Sequence, residues 1–160
     1  FSSDQSLSKL RIVQENLRLA VNKVLNGRDP TMDDYEQLSY VNSVLMETLR
    51  KDSPVLVNGR VASKDTTLGN HTIPKGTIVY TLFNSLHKRE DIWEKPNEFI
   101  PDRFVNPTTK DDSIQNLIWV PFSMGNRQCI GKKFSLLESC MILSCMATKY
   151  RFKLLNDESV

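Results

Sequence analysis

The sequence lacks three features that would each mark a class of protein. No apolar run approaches the roughly 18 residues of a membrane-spanning helix, and the beginning of the chain at Phe1 has neither the basic region nor the apolar core of a signal peptide. No run of Lys and Arg has the length of a basic binding tract, and the net charge is only +2. We therefore expect no nucleic-acid partner, and no targeting or transmembrane segment in this chain.

Repeats, low-complexity tracts and an interdomain linker are also absent. The 160 residues are 39% apolar and 25% charged, which is the composition of an ordinary soluble domain with a core. We predict a single unit over residues 1–160, without separate domains.

Cysteine is scarce and unevenly placed. The chain has three cysteines, Cys129, Cys140 and Cys145, an odd number without Cys-x-x-Cys spacing, which argues against a disulfide framework or a zinc site. A reducing compartment fits this usage best. We expect Cys140 and Cys145 to be small buried hydrophobic residues of the last helix.

Periodic apolar positions and turn signals predict a mainly α fold with a small β-sheet. We predict helices from a cap at Ser6 or Ser8 up to Gly27, from about Leu38 to Lys51 and from about Gly131 to Tyr150, with a short capped helix starting at Thr31-x-x-Asp34. The expected apolar stripe of the last helix is Phe134, Leu137, Met141, Ile142 and Cys145. The predicted strands of one small twisted sheet are Val57–Val61, Thr67–Leu68, His71–Ile73 and Thr77–Leu82.

The segment from Trp93 to Gln128 shows almost no periodicity, and its prolines forbid regular ladders. A long irregular stretch inside a compact domain is normally functional or disordered. Its aromatic residues favour an ordered, anchored segment, because they supply apolar area to bury.

The most informative segment follows, from Phe122 to Gly131, where Cys129 lies at the start of the last predicted helix. The N-terminus of a helix presents unpaired N–H groups and a partial positive charge, which stabilise an anionic sulfur that can bind a metal. Gly125 allows the backbone to approach a flat ligand closely, and Arg127 is placed to meet an anion.

The pattern Phe122-x-x-Gly125-x-Arg127-x-Cys129-x-Gly131 closely resembles, without a substitution, the heme-binding loop of the cytochromes P-450, which are heme-thiolate monooxygenases. Two other segments resemble that family in the same order: the Glu-x-x-Arg helix at Glu47 to Arg50, and the Pro-x-Arg-Phe turn at Pro101 to Phe104. The resemblance extends from about Leu7 to Leu155 and identifies the chain as the C-terminal, proximal part of the fold.

The resemblance implies heme b as the cofactor, with Cys129 as the axial ligand of its iron. Arg127 and Arg60 would meet heme propionates, although Arg60 alone is also typical of an ordinary strand cation. Phe122 would shield the sulfur, or serve simply as a core residue. No other catalytic residue is expected in this chain. The cofactor-binding residues implied are therefore Cys129, Arg127, Phe122, Gly125, Gly131 and Arg60.

The resemblance also implies a buried, structural triad of Glu47, Arg50 and Arg103. Without the resemblance, Glu47 and Arg50 would be an exposed i,i+3 pair of little energetic importance. His87 matches a histidine that packs in relatives, so we do not expect it to bind iron, and His71 is expected in solvent.

Two further expectations concern surfaces. The segment of Val55, Leu56 and Val57 either touches substrate above the heme or belongs to the core of the strand. The resemblance also implies a basic proximal face that binds an acidic, NADPH-dependent flavoprotein reductase. Four residues either form part of this face or are ordinary surface charges: Lys88, Arg89, Lys132 and Lys133.

Relatives are several times longer than this chain, so the resemblance implies a fragment of a monooxygenase that inserts one oxygen atom of dioxygen into a small apolar substrate. The isolated chain is not expected to turn over. Its full-length parent is expected at the cytoplasmic side of the endoplasmic reticulum, held by an N-terminal anchor that this sequence does not contain. Two alternatives stay open: a heme-binding module without turnover, and a cofactor-free helical interaction domain.

Overall fold

The structure is a computed structural model that describes residues 3–105 and 117–153, with side chains described from Leu10 onward. Five α-helices and four strands lie within these ranges. They are α1 (Ser3–Leu25), α2 (Ser39–Lys51), β1 (Val57–Val61), β2 (Thr66–Leu68), β3 (His71–Ile73), β4 (Ile78–Leu82), α3 (Phe83–Leu86), α4 (Asp102–Val105) and α5 (Lys132–Lys149), with 3-10 helices at Met32–Asp34 and Gly125–Arg127. The predicted fold class, mainly α with a little β, is confirmed.

The first helix begins earlier than predicted. It already includes Ser3, so Ser6 and Ser8 lie inside the helix and the prediction that one of them is the cap is wrong. Serine is only a moderately poor helix former and does not by itself start a helix when the preceding residues continue the helical pattern.

The predicted capping start at Thr31 is confirmed. The Thr31 backbone N–H and hydroxyl both donate to Asp34 Oδ2, at 2.8 and 2.9 Å, and a capping box of this kind satisfies donors at a helix start. Arg28 also donates to the buried carboxylate, with Nη1 at 2.7 Å, and these bonds hold the pKa of Asp34 well below its usual range. The chain is thereby turned from α1 towards α2.

The strands form two separate antiparallel ladders instead of the single sheet predicted. Strand β1 pairs with β4 from Val57↔Leu82 to Val61↔Ile78, whereas β2 pairs only with β3, from Thr66↔Ile73 to Leu68↔His71. The short strands β2 and β3 form a tight hairpin of their own through the turn at Gly69, whose φ is +57°, and neither strand pairs with β1 or β4 in the described structure.

The core lies where α1, α2 and α5 pack together. Its buried residues are Leu17, Val21, Leu25, Leu38, Val41, Val44, Cys140 and Ala147. Cys140 is fully buried as predicted, and Cys145 is half-buried.

The last helix buries a different face from the stripe that its sequence suggests. Cys140, Ser144 and Ala147 are buried, whereas Phe134 and Ile142 are exposed, so the predicted stripe is wrong at these positions. Small residues at spacings of four and three occupy one face of a helix and allow close packing against α1 and α2. None of the helices described has both the length and the apolar character required to cross a membrane.

Candidate functional site

The cysteine loop, residues 122–131, is held in a defined turn by its own backbone. The Cys129 N–H donates to the Phe122 carbonyl at 2.9 Å, and the Gln128 N–H donates to the Gly125 carbonyl at 3.0 Å. The Lys132 N–H then donates to the Cys129 carbonyl at 3.3 Å, where α5 begins. Cys129 is an exposed free thiol, so the fold presents its sulfur at the surface next to the start of α5.

The two glycines of the cysteine loop differ in what the backbone requires. Gly125 has φ +70°, in the left-handed region where a side chain is strained, whereas the φ of Gly131 is −82°. A Cβ on Gly131 would lie 3.8 Å from Cys129 Sγ, at ordinary contact distance. Glycine is therefore demanded by backbone conformation at 125, and this chain alone makes no such demand at 131.

A row of four aromatic rings packs next to the cysteine loop, with Phe122 of the loop at one end. Phe122 lies 6.4 Å from Trp119, Trp119 lies 6.0 Å from Phe104, and Phe104 lies 5.9 Å from Trp93, measured between ring centroids. Edge-to-face and tilted contacts of this kind add to the free energy gained by burying the rings. The irregular segment is thus anchored by its aromatic residues, as the sequence predicts.

An open cavity of about 390 Å³ separates β1 from the cysteine loop. Arg60 lines one side and Arg127 the other, with Phe83, Leu86 and Val120 among the apolar residues between them. Arg60 donates to Asn58 Oδ1 at 3.0 Å, and both arginines are exposed. The two cations predicted to meet one anionic ligand therefore line the same cavity.

The preceding segment, Val55 to Val57, lies in solvent. All three side chains are exposed, so the alternative that they form the core of the strand is wrong. The other alternative, contact with a substrate, stays a prediction.

Glu47, Arg50 and Arg103 meet in the structure, although the turn is more than fifty residues from the helix. Arg50 Nε and Nη2 donate to the Glu47 carboxylate at 2.7 and 2.9 Å, and Arg103 Nε lies 3.3 Å from both carboxylate oxygens. The side chains of Glu47 and Arg50 are 0% exposed, whereas Arg103 is 12% exposed. This is a buried network and not the solvated pair that the i,i+3 spacing alone would suggest.

The network also supplies hydrogen bonds to irregular backbone. Arg50 donates to the carbonyls of His87 and Glu98, at 2.8 and 3.1 Å, and the Ile100 N–H donates to Glu47 Oε1 at 2.8 Å. Arg103 donates to the Glu94 carbonyl at 3.0 Å. Because these segments lack strand partners, the charged side chains satisfy backbone groups that a ladder would otherwise satisfy.

His87 is fully buried, and its Nε2 accepts the Val120 N–H at 3.0 Å. Burial and the nearby Arg50 charge lower the pKa of His87 to about 4, so the ring is neutral at physiological pH. Its packing agrees with the prediction that it does not face a ligand. The bond to Val120 was missed by sequence reasoning, because no local signal pairs residues 33 positions apart.

The surface cations behave differently from one another. Arg89 is paired with Asp91, its Nε at 2.9 Å from Oδ1, and Lys132 lies 5.9 Å above the Trp119 ring. Lys88 and Lys133 are exposed, as is His71 in the β2–β3 hairpin. Within the described ranges, no group of three His, Cys, Asp or Glu side chains is arranged to hold a metal ion, so a single thiol is the candidate donor.

The residues present fit a heme. The exposed thiol of Cys129 offers one soft ligand, and the cysteine loop that carries it contributes Met124, Asn126 and Arg127 to the cavity wall. Apolar walls suit the flat ring, and the two guanidinium groups suit carboxylates at its edge.

Comparison with known proteins gives a consistent result. A model of the Cytochrome P450 family matches residues 6–160. Cytochrome P450 4c21 from Blattella germanica is 35% identical over 149 residues, which are 90% of this chain and 29% of that protein. Leukotriene-B4 omega-hydroxylase 3 from Mus musculus is 36% identical over 149 residues, which are 91% of this chain and 28% of that protein.

A plant relative extends the range: carotene epsilon-monooxygenase of Arabidopsis thaliana is 30% identical over 156 residues, 96% of this chain and 28% of that protein. The chain spans less than a third of the length of each of these relatives. With a match over nearly its entire length and a fold that is consistent with part of the family's, this chain belongs to the cytochrome P450 family.

Proposed function

We propose that the chain is the C-terminal, heme-binding portion of a heme-thiolate monooxygenase, a single partial domain with Cys129 as the axial ligand of iron. The observation that carries the proposal is that the cysteine loop, which carries the exposed thiol of Cys129, lines a cavity together with Arg60 and contributes Arg127 to its lining. A heme, when bound, supplies the iron at which dioxygen is activated and one oxygen atom is transferred to an organic substrate.

The residues of the chain would bind and orient that cofactor. Cys129 would hold the iron through its thiolate sulfur, an electron-donating ligand that suits the oxygen chemistry a heme would supply. Arg60 and Arg127 would pair with the two carboxylates of the heme, because a guanidinium matches a carboxylate in shape and charge. Phe122, packed on Trp119, would keep water away from the sulfur, and Gly125 and Gly131 would leave room for the ring.

The triad of Glu47, Arg50 and Arg103 would act structurally, by holding the irregular segment against the helix that precedes β1. This proposal is supported by the burial of Glu47 and Arg50 and by the backbone groups that they bind. None of the three lines the cavity, so no contact with a substrate is assigned to them.

The activity, partners and location of a longer parent are extrapolations from the family. A small apolar substrate and an NADPH-dependent flavoprotein reductase fit a monooxygenase, and Lys88 and Lys133 are available as exposed cations for an acidic partner. We propose the cytoplasmic side of the endoplasmic reticulum for such a parent. The Arabidopsis relative is a chloroplastic protein, so this location is not expected of every member of the family.

A heme-binding module without turnover is the second candidate. It is favoured by the cavity between β1 and the cysteine loop, which is open in the described part of the chain and so does not enclose a reacting centre. Exclusion of water makes such chemistry productive. We expect the chain, supplied with heme, a reductase and NADPH, to consume NADPH without coupled formation of product.

Spectroscopy of the heme-loaded chain tests the ligand. After reduction and addition of carbon monoxide, a thiolate ligand gives a strongly red-shifted Soret band. Cys129→Ser is expected to lose this band, whereas Cys140→Ser is expected to keep it, because burial raises the pKa of the Cys140 thiol to about 11 and keeps it protonated.

Cys145→Ser is a second matched control, since Cys145 is half-buried in α5. The assignment is wrong if Cys129→Ser retains the shifted band. A chain that binds no heme under any condition would favour the third possibility, a cofactor-free helical interaction domain.

A further inference from the structure

We propose that His87 is a positioning residue for the cysteine loop: its neutral imidazole accepts the Val120 N–H through Nε2 and thereby fixes the backbone on which Cys129 is carried. The hydrogen bond and its effect on the cysteine loop stand independently of heme. Their meaning for catalysis rests on the function proposed above.

The geometry of the ring defines its form. Val120 N lies 3.0 Å from His87 Nε2, and both residues are buried. A ring nitrogen that accepts a hydrogen bond carries no proton, so the proton of the neutral ring must lie on Nδ1. His87 Nδ1 is buried and has no hydrogen-bond partner among the described residues, so the bond to Val120 is the one that fixes the ring.

On one side, His87 is attached to the buried charged network. Its carbonyl accepts from Arg50 Nη1 at 2.8 Å, and Arg50 is held by Glu47 in turn. Its N–H donates to the Phe83 carbonyl at 2.9 Å and so closes the single turn of α3. Hydrogen bonds to α2 and α3 therefore fix the backbone of His87, and its ring contacts a third segment at Val120.

On the other side, Val120 leads directly into the cysteine loop. The Val120 carbonyl accepts the Ser123 N–H at 3.0 Å, and the Phe122 carbonyl accepts the Cys129 N–H at 2.9 Å. The indole N–H of Trp119 donates to the Met46 carbonyl of α2 at 3.0 Å. Adjacent residues thus tie the base of the cysteine loop to fixed elements, through one indole donor and one imidazole acceptor.

The cysteine loop needs this attachment because its conformation is strained. Ser123 has φ +61° and Gly125 has φ +70°, and a residue other than glycine in this region persists only when its surroundings hold it there. Loss of the acceptor, His87 Nε2, would leave the buried Val120 N–H without a partner and would release the first residue of this turn.

The charges around the ring keep it an acceptor. Arg50 of α2 faces His87, and its positive charge opposes protonation of the ring, while Glu47 is already paired with Arg50. Protonation would place a donor on Nε2 against the Val120 N–H and abolish the bond. We expect the neutral form to predominate in the folded chain at physiological pH.

The unmodified chain provides the first test. Long-range proton–nitrogen NMR correlation distinguishes the protonated nitrogen of a neutral imidazole from the bare one. We expect His87 to carry its proton on Nδ1 at pH 7, whereas His71, exposed in its hairpin, averages between tautomers. A proton found on Nε2 of His87 would overturn the proposal without any mutation.

Two substitutions test the mechanical role. His87→Gln can keep an acceptor near the position of Nε2, whereas His87→Leu fills a similar volume without one. We expect hydrogen exchange of the Val120 and Ser123 amides to accelerate about tenfold or more in His87→Leu relative to Val41 in the core, and to be largely restored in His87→Gln. His71→Leu is the matched control and should change none of these amides.

The thiol reports the consequence for the cysteine loop. Alkylation of Cys129, resolved from Cys140 by mass spectrometry, should proceed at an altered rate in His87→Leu and near the original rate in His87→Gln. Equal exchange of Val120 in the two variants would overturn the proposal, and so would unchanged alkylation in both. A failure of heme binding alone would count against the proposed function and leave this result intact.

Discussion

Replacement of Arg50 by leucine should be among the most damaging single changes in the described part of the chain. The guanidinium donates two hydrogen bonds to Glu47 and one each to the carbonyls of His87 and Glu98, and it also lies 5.3 Å from the centre of the Trp93 ring. Leucine cannot replace any of these donors.

The magnitude follows from what Arg50→Leu leaves behind. The Glu47 carboxylate would stay fully buried with only the Ile100 N–H at 2.8 Å and Arg103 Nε at 3.3 Å. Removing one partner of a buried ion pair costs about 3 to 5 kcal/mol. Because domains of this size have a free energy of unfolding of about 5 to 15 kcal/mol, the change would remove a large share of the stability of the fold.

Urea unfolding followed by circular dichroism measures the effect. Arg103→Leu is the matched variant: Arg103 is partly exposed and its contact with the carboxylate is longer, so we expect a loss of about 1 to 2 kcal/mol. Arg89→Leu, which removes an exposed pair with Asp91, should lower the stability least of the three variants, because exposed ion pairs contribute little.

A double variant distinguishes the cost of leaving a buried charge unpaired from the cost of losing the hydrogen bonds themselves. Glu47→Leu with Arg50→Leu removes both charges, and buried pairs replaced by apolar residues are often tolerated. We expect the double variant to be more stable than Arg50→Leu alone. If Arg50→Leu costs no more than Arg103→Leu, or if the double variant is the less stable one, the reasoning about buried charge is refuted.

Three further predictions concern the packing around the cysteine loop. The pKa of His87 is lowered from near 6.5 to about 4, so the unfolded chain binds a proton at a higher pH than the folded chain does. The free energy of unfolding should therefore fall by at most about 3 kcal/mol as the pH drops from 6.5 to 4. His87→Gln should flatten this part of the curve of stability against pH. Trp119→Phe, which removes the indole donor to α2, should lower the urea midpoint by the equivalent of about 1 to 2 kcal/mol, and Trp93→Phe should lower it less, since the Trp93 indole N–H has no hydrogen-bond partner among the described residues. Gly125→Ala should cost about 1 kcal/mol in thermal unfolding because of its positive φ, whereas Gly131→Ala, with ordinary φ, should cost less.

Helix α2 and the capping start at Thr31 were accessible from sequence because their signals are local, whereas the short helices α3 and α4 were not predicted. The periodic apolar positions of α2 and the capping residues at Thr31 act within a few positions of one another, and their bounds agree with the structure to within a residue or two. The meeting of Glu47 with Arg103 was different. It was expected only through the resemblance to a family, because spacing alone favours a solvated pair.

The misses share a physical cause, which is that packing partners are not written into local patterns. The face that α5 buries consists of Cys140, Ser144 and Ala147, and a hydrophobic pattern gives such small residues little weight against Phe134 or Ile142. The separation of the two ladders depends on where the β2–β3 hairpin points, which three-residue strands do not reveal. The bond between His87 and Val120 joins two irregular segments for which no periodicity exists.

The buried charges of this chain are best understood as substitutes for regular structure. Residues 87 to 100 have no strand partner in the described structure, yet several of their backbone groups are buried, and an unsatisfied buried carbonyl or N–H costs about 1 to 3 kcal/mol. One guanidinium, that of Arg50, reaches carbonyls at both ends of this stretch, and Glu47 accepts the N–H of Ile100. A guanidinium has five donors in a rigid plane, so it can bind a carboxylate and two carbonyls at once, which a lysine cannot do with the same geometry. The buried network and the irregular segment therefore stabilise each other. The segment needs no strand partner because the network supplies its hydrogen bonds, and the network can remain buried because the segment supplies acceptors for it.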